Sequence, residues 1–288
     1  MPLPNCGLEN QGNTCYIASV VQILVGVFAH KQNAMDLFRT TAADSAASEF
    51  ARGFCNLVCS ICDNNVHTVV PQVTQLVETL FSEPSGWTKA PYNAKKGCQE
   101  SCDEFLQFVL GELPHLANMF TFSERTLGNS ANTVSTSDVE DSVEVKSTTL
   151  SVPLPSTNVP LSALIHAQYA GSDIANPVVL SEFNDVLVVI IKRWQLENGH
   201  IMKNDGPFSL SEPLEIFDQQ KINIGQFKLS GFVVHEGASP HHGHYTAFSE
   251  RNVNDKFEWM YFDDKKTSIE ARDSTSQVRA TIFFVLSA

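Results

Sequence analysis

Cys15 follows the segment Gly7-Leu8-Glu9-Asn10-Gln11-Gly12-Asn13-Thr14 and leads into Ile17, Val20, Val21 and Leu24. Those four apolar positions recur at i, i+3, i+4 and i+7, the period of one helix face. The thiol therefore belongs to the first turn of a helix with a buried side. Unpaired N–H groups and the helix dipole favour negative charge there, so the position predicts a lowered thiol pKa and a nucleophile near neutral pH. The plainer reading is a small apolar residue packed beneath a helix start, because free cysteine is often buried.

Far downstream lies Gly231-Phe232-Val233-Val234-His235-Glu236-Gly237, then His241-His242-Gly243-His244-Tyr245-Thr246-Ala247-Phe248, then Trp259-Met260-Tyr261-Phe262-Asp263-Asp264. Cysteine, histidine and aspartate are the inventory of a thiol acyl-transfer triad. The imidazole takes the thiol proton and returns it to a leaving amine, and the carboxylate fixes the imidazole. His244 is the candidate base, with Gly243 before it allowing close backbone approach. His241 and His242 read as loop residues. Asp263 and Asp264 are both candidates for the acid, and Asp-Asp is also ordinary turn chemistry after a strand. Asn10 has a side-chain amide that could donate to an oxyanion, or could simply close an Asx-turn around Gln11-Gly12. The histidines have no second ligand group at structural-zinc spacing, so no metal site is expected.

These boxes resemble the ubiquitin-specific protease family of papain-like cysteine peptidases. GLENQGNTCYIASVVQIL is close to that family's Gly-Leu-x-Asn-x-Gly-Asn-Thr-Cys-Tyr box. HEGASPHHGHYTAF followed by WMYFDD is similar to its Gly-His-Tyr-x-Ala-Tyr and Trp-x-x-Phe-Asp-Asp. QESCDEFLQFVL (99–110), LSVPLP (150–155) and VLVVIIKRW (186–194) match three further landmarks, in the family's order. One short motif misfires often; five in sequence do not.

The resemblance implies an α+β, papain-like cysteine peptidase fold in one catalytic domain over 1–288, with a helical thumb (1–120), short antiparallel fingers (121–180) and a β-sheet palm (181–288). It implies hydrolysis after the C-terminal Gly-Gly of ubiquitin on conjugated proteins, with no cofactor. Cys15 is then the nucleophile, His244 the base, Asp263 or Asp264 the orienting acid and Asn10 the oxyanion donor. Glu104, Glu100 and Asp103 become candidates for a tail arginine, with a solvated helix face as the alternative. His235 and Tyr245 would also contact the tail.

Two departures bear on the modifier. The family usually has Gln-Gln-Asp-Ala before this glutamate; here the residues are Gln99-Glu100-Ser101-Cys102. Many members also carry two Cys-x-x-Cys pairs binding zinc at the fingers, whereas the last of the 7 cysteines here is Cys102. Another ubiquitin-like modifier, such as SUMO or an interferon-induced homologue, and a catalytically silent ubiquitin-binding pseudo-peptidase therefore stand as alternatives.

Composition sets the wider bounds. The chain has 288 residues, 43% of them hydrophobic, enough for a sizeable core. A formal charge of −13 excludes a nucleic-acid footprint and suits a partner with a basic contact patch. An odd number of cysteines, no signal-like N-terminus and no long apolar run predict a reducing, cytoplasmic or nuclear setting without a membrane span; a monomer is expected. Cys55, Cys59 and Cys62 share one helical face and read as a packed seam rather than ligands.

Helical periodicity predicts helices along Phe50, Phe54, Leu57 and Ile61, along Val73, Leu76, Val77 and Leu80 after Pro71, and along Cys98, Cys102, Phe105 and Val109 up to Pro114. Val143-Glu144-Val145-Lys146 alternates as a half-exposed strand, and from about 180 to the end the chain reads as sheet, with Val186 to Ile191 a continuous buried strand.

Overall fold

The computed structural model describes residues 6–28, 31–63, 66–83, 85–126, 143–154, 158–169, 178–197, 199–206, 208–209, 213–218, 222–239, 242–253, 256–270, 277–278 and 281–287. The N-terminal half is helical: α1 (Cys15–Phe28), α2 (Gln32–Ala43), α3 (Glu49–Cys62), α4 (Val66–Leu80), α5 (Cys102–Glu112) and the single turn α6 (Pro114–Ala117). The strands β1 (Phe122–Thr126), β2 (Val143–Ser147) and β3 (Leu150–Pro153) follow, then α7 (Leu161–Tyr169). Next come β4 (Val178–Ser181), β5 (Val186–Lys192), β6 (Trp194–Glu197), β7 (His200–Lys203), β8 (Phe208–Ser209) and β9 (Leu214–Phe217). Two long strands, β10 (Asn223–Ser239) and β11 (His242–Val253), precede β12 (Lys256–Asp263), β13 (Lys266–Glu270), β14 (Gln277–Val278) and β15 (Thr281–Ser287).

The main sheet runs β13-β12-β11-β10-β15-β5-β3, with β9 paired to β10. A separate three-stranded sheet, β2-β1-β4, forms the expected short fingers. The strand β3 leaves that region and pairs parallel with β5, Leu150 opposite Val189, so it belongs to the main sheet.

Every residue of α1 is buried. It lies between the other helices and the sheet, and one continuous apolar core joins Val20, Val21 and Leu24 to Phe54, Phe105, Val188, Val233 and Ala247. The opposite sheet face carries a second core built on Leu150, Val189, Phe227 and Phe232 under α7.

Two helix starts differ from the sequence reading. α4 begins at Val66 and contains Pro71. Pro71 is the sixth residue of α4, where it costs the helix the bond its N–H would make to the His67 carbonyl; the helix carries it in its second turn, so the proline did not mark the boundary. α5 begins only at Cys102, and Cys98 is exposed on the loop before it. Among the described residues, no helix is long and apolar enough to cross a membrane.

Candidate active site

Three chain segments meet at the start of α1. The first is the Cys box itself. Gly12 and Asn13 have positive φ, 94° and 56°. This left-handed kink is held by the Asn10 Oδ1, which accepts from the backbone N–H of Gly12 at 3.0 Å and of Thr14 at 3.1 Å. The Asx-turn reading of Asn10 is thus realised. Its Nδ2 donates to Asp264 Oδ2 at 3.0 Å, which leaves the amide's second hydrogen for another acceptor.

The second segment is the β12–β13 turn. Asp263 Oδ1 lies 2.7 Å from His244 Nε2, while Asp264 faces Asn10 instead. The sequence could not choose between the two acids; in the turn, where Asp264 takes φ 49°, the Asp264 carboxylate accepts from Asn10 while Asp263 holds His244. Leu8 N–H donates to the Asp264 carbonyl at 2.9 Å, tying the Cys box to the same turn. A Cβ on Gly7 would overlap the Lys265 carbonyl, so only glycine permits this approach. One oxygen of Asp264, Oδ1, is buried with no hydrogen-bond partner.

The third segment is the β10–β11 hairpin. His244 is half-buried and opposite Glu236 in the register. Tyr245, the next residue, directs its backbone N–H at the Cys15 thiol. With Nε2 held by Asp263, the ring's Nδ1 is the nitrogen left for another partner.

The thiol itself departs from expectation. Burial pushes its pKa up; the Tyr245, Tyr16 and own-residue N–H groups pull it down, and the Asp264 carboxylate adds to the rise. The net direction is upward. Helix-terminal stabilisation is outweighed because Cys15 is 2% exposed.

Beside this centre the thumb and sheet enclose two adjoining clefts. One, about 540 Å³, lies between the Asn93–Glu100 loop and the His242-Gly243 backbone. The other, about 320 Å³, is lined by Glu100, Asp103, Glu104, Lys192, Trp194 and Tyr245. Gln99 and Glu100 belong to both walls. Glu100 also accepts the Lys95 backbone N–H at 2.9 Å, and the Ser101 hydroxyl donates to Asp103. Burial and the neighbouring Asp103 and Glu100 raise the Glu104 pKa, with Lys192 acting against them. The three acids expected to meet a basic group are therefore together.

His235 is a correction. It is 0% exposed, beneath Gly237 and Gly243 and packed on Trp194 and Tyr245 at 5.9 and 4.7 Å, so its ring cannot touch a bound tail. Burial and Lys203 lower its pKa to about 4, which keeps it neutral. Tyr245 is buried too, but the residue belongs to the wall of the smaller cleft. His242 opens β11 rather than lying in a loop, and His241 falls outside the described residues.

The sequence reading missed Gln99, whose Nε2 lies 3.0 Å from His235 Nε2, and the buried pair Gln22 and Arg251. A lone glutamine in an otherwise apolar helix was a usable signal for the pair; nothing marked Gln99. Cys55, Cys59 and Cys62 have pKa values pushed by burial to about 12, 11 and 12, as packed thiols do. Among the described residues, the grouping whose ligand-type atoms lie within 4.8 Å of one another is His244, Asp263 and Asp264.

The helix-borne thiol, the strand-borne imidazole and the carboxylate at the end of β12 are arranged as in papain-like thiol peptidases. The chain belongs to the ubiquitin carboxyl-terminal hydrolase family, whose sequence profile matches residues 6–284. It is 32% identical over 91 residues to ubiquitin carboxyl-terminal hydrolase 14 of Saccharomyces cerevisiae, a match covering 30% of this chain and 11% of that protein. Its fold is similar to the SAGA Ubp8/Sgf11/Sus1/Sgf73 DUB module bound to ubiquitin aldehyde, at TM-score 0.76 and 16% identity over 98% of this chain and 69% of that one. A structure of the same module bound to monoubiquitin matches at TM-score 0.73 and 16% identity, over 98% and 68% of the two chains. The chain thus spans a small part of the curated relative it matches.

Proposed function

We propose that this protein is a cysteine isopeptidase that cleaves after the C-terminal Gly-Gly of ubiquitin on conjugated proteins. Cys15 Sγ attacks the glycine carbonyl as His244 takes the thiol proton. The tetrahedral intermediate collapses to a thioester, and the lysine amine leaves with the proton from His244. Water, deprotonated by His244, then attacks the thioester and restores the thiol. Asp263 holds the imidazole, and the free Asn10 amide hydrogen meets the oxyanion. The tail lies along the two clefts, with its basic residues toward Glu100, Asp103 and Glu104. The observation that carries the reading is the join at the hairpin: His244 is bonded to Asp263 while the next residue's N–H faces the Cys15 thiol.

Cys15→Ala tests it. Hydrolysis of a ubiquitin C-terminal amide should disappear while ubiquitin binding, measured by calorimetry, persists. Residual cleavage would remove Cys15 from its role. The altered acid cluster, with Ser101 in place of an aspartate, favours one alternative enough to test alongside. A panel of activity probes, one for each modifier, should label Cys15 with the ubiquitin probe; labelling by a SUMO-type probe alone would reassign the modifier.

A further inference from the structure

The ammonium of Lys203, at the end of β7, is almost withdrawn from solvent: its side chain is 6% exposed. Its Nζ donates to the backbone carbonyls of His235 and Gly237, at 2.9 Å each. It also lies 3.1 Å from Asp205 and 5.7 Å from the centre of the Trp194 ring. The two carbonyls flank Glu236, the residue directly opposite His244. The register of the hairpin breaks between Glu236 and Ser239, where Gly237 has φ 151°.

A bulge leaves backbone groups without ladder partners. Taking an ammonium out of water is costly, so the site must return that cost in bonds to the charge, which a passive filler such as methionine would not require. The base from which Lys203 reaches is itself fixed. Asn204 N–H donates to the Arg193 carbonyl at 2.8 Å, Arg193 Nη1 donates to the Asn204 carbonyl at 2.8 Å, and Asn204 Nδ2 donates to the Leu154 carbonyl at 2.9 Å. The lysine is thus a strut between a rigid part of the sheet and the irregular stretch that aims the histidine.

We propose that Lys203 is a positioning residue for His244: it fixes the bulge across from the imidazole, and its loss lowers turnover without loosening substrate. The proposal rests on the hydrolase reading above. A misplacement of about 1 Å at the reacting groups costs on the order of 100-fold in rate.

The test compares Lys203→Met, which keeps the stem and removes the charge, with Lys203→Arg, which keeps a cation in reach of the carbonyls. On a ubiquitin C-terminal amide, Lys203→Met should lower kcat about 10- to 100-fold with KM within about twofold, and Lys203→Arg should recover most of the loss. Amide hydrogen exchange, read without any substrate, should quicken in the His235–Tyr245 hairpin and not in α1 or α3. An unchanged kcat, a rise confined to KM, or exchange quickened throughout the chain would each overturn the proposal. If the wild-type protein cleaves nothing, the hydrolase reading fails, and the exchange data still report whether Lys203 holds the bulge.

Discussion

At Cys15 two opposed influences meet on one sulfur. The helix start and three N–H groups favour the thiolate; burial and the Asp264 carboxylate favour the thiol, and together they raise its pKa. The thiol form is therefore favoured at neutral pH, and in the proposed mechanism the thiolate forms as His244 takes the proton. Because the thiolate is the reactive form, alkylation of Cys15 by iodoacetamide should rise with pH through and beyond the ordinary thiol value of about 8.5. Asp264→Asn removes one source of the rise, so its profile should shift to lower pH. A wild-type rate already level below about pH 7 would mean a resting thiolate–imidazolium pair and would contradict this account. The acid pair teaches a related lesson about legibility. Asp263 and Asp264 are chemically identical in the sequence, and only their hydrogen-bond partners in the folded turn separate their tasks.

Elements were legible where one periodicity governed them. The stripe Phe50, Phe54, Leu57 and Ile61 is the buried face of α3, and the alternation at Val143–Lys146 is β2. What periodicity does not show is which surface of α1 meets the sheet, since the helix is buried all round. That contact is set by Gly26, where an added Cβ would overlap Ser249 Oγ and Arg251 Nη1. Arg251, fully buried, reaches Gln22 Oε1 at 3.1 Å and Ser249 Oγ at 2.7 Å and stacks 4.9 Å from the Phe262 ring centre. The helix carrying the nucleophile is thereby registered on the strand carrying the histidine. Gly26→Ala should lower unfolding stability by about 3 kcal/mol through overpacking. Gly111→Ala in α5, with nothing within 4 Å of its Cβ, should instead gain up to about 1 kcal/mol of helix propensity. Urea midpoints read both, and equal effects would show that the α1–sheet contact yields more easily than its geometry suggests.

For the whole molecule, the sequence reading placed the thiol in a helical thumb and the imidazole in a β-sheet palm. The structure joins the two halves in one core through α1, so the thiol and the imidazole are carried by elements packed into a single body. Long-range pairing of this kind, such as β3 crossing to lie parallel on β5, leaves no trace in local pattern and could not be read beforehand. Charge, by contrast, was legible from the start. Against 19 basic residues stand 32 acidic ones, and three of the acids converge on the cleft assigned to the tail. A field of that sign draws a basic partner inward and raises its encounter rate, and salt screens it over roughly 8–10 Å at physiological strength. On a ubiquitin C-terminal amide, kcat/KM should therefore fall about tenfold between about 20 and 300 mM NaCl, with kcat nearly constant. Glu104→Gln combined with Asp103→Asn should lower the low-salt value and flatten the dependence. A salt response unchanged in that double variant would place the attracting surface elsewhere on the protein, and a flat response in the wild type would deny that charge guides the tail at all.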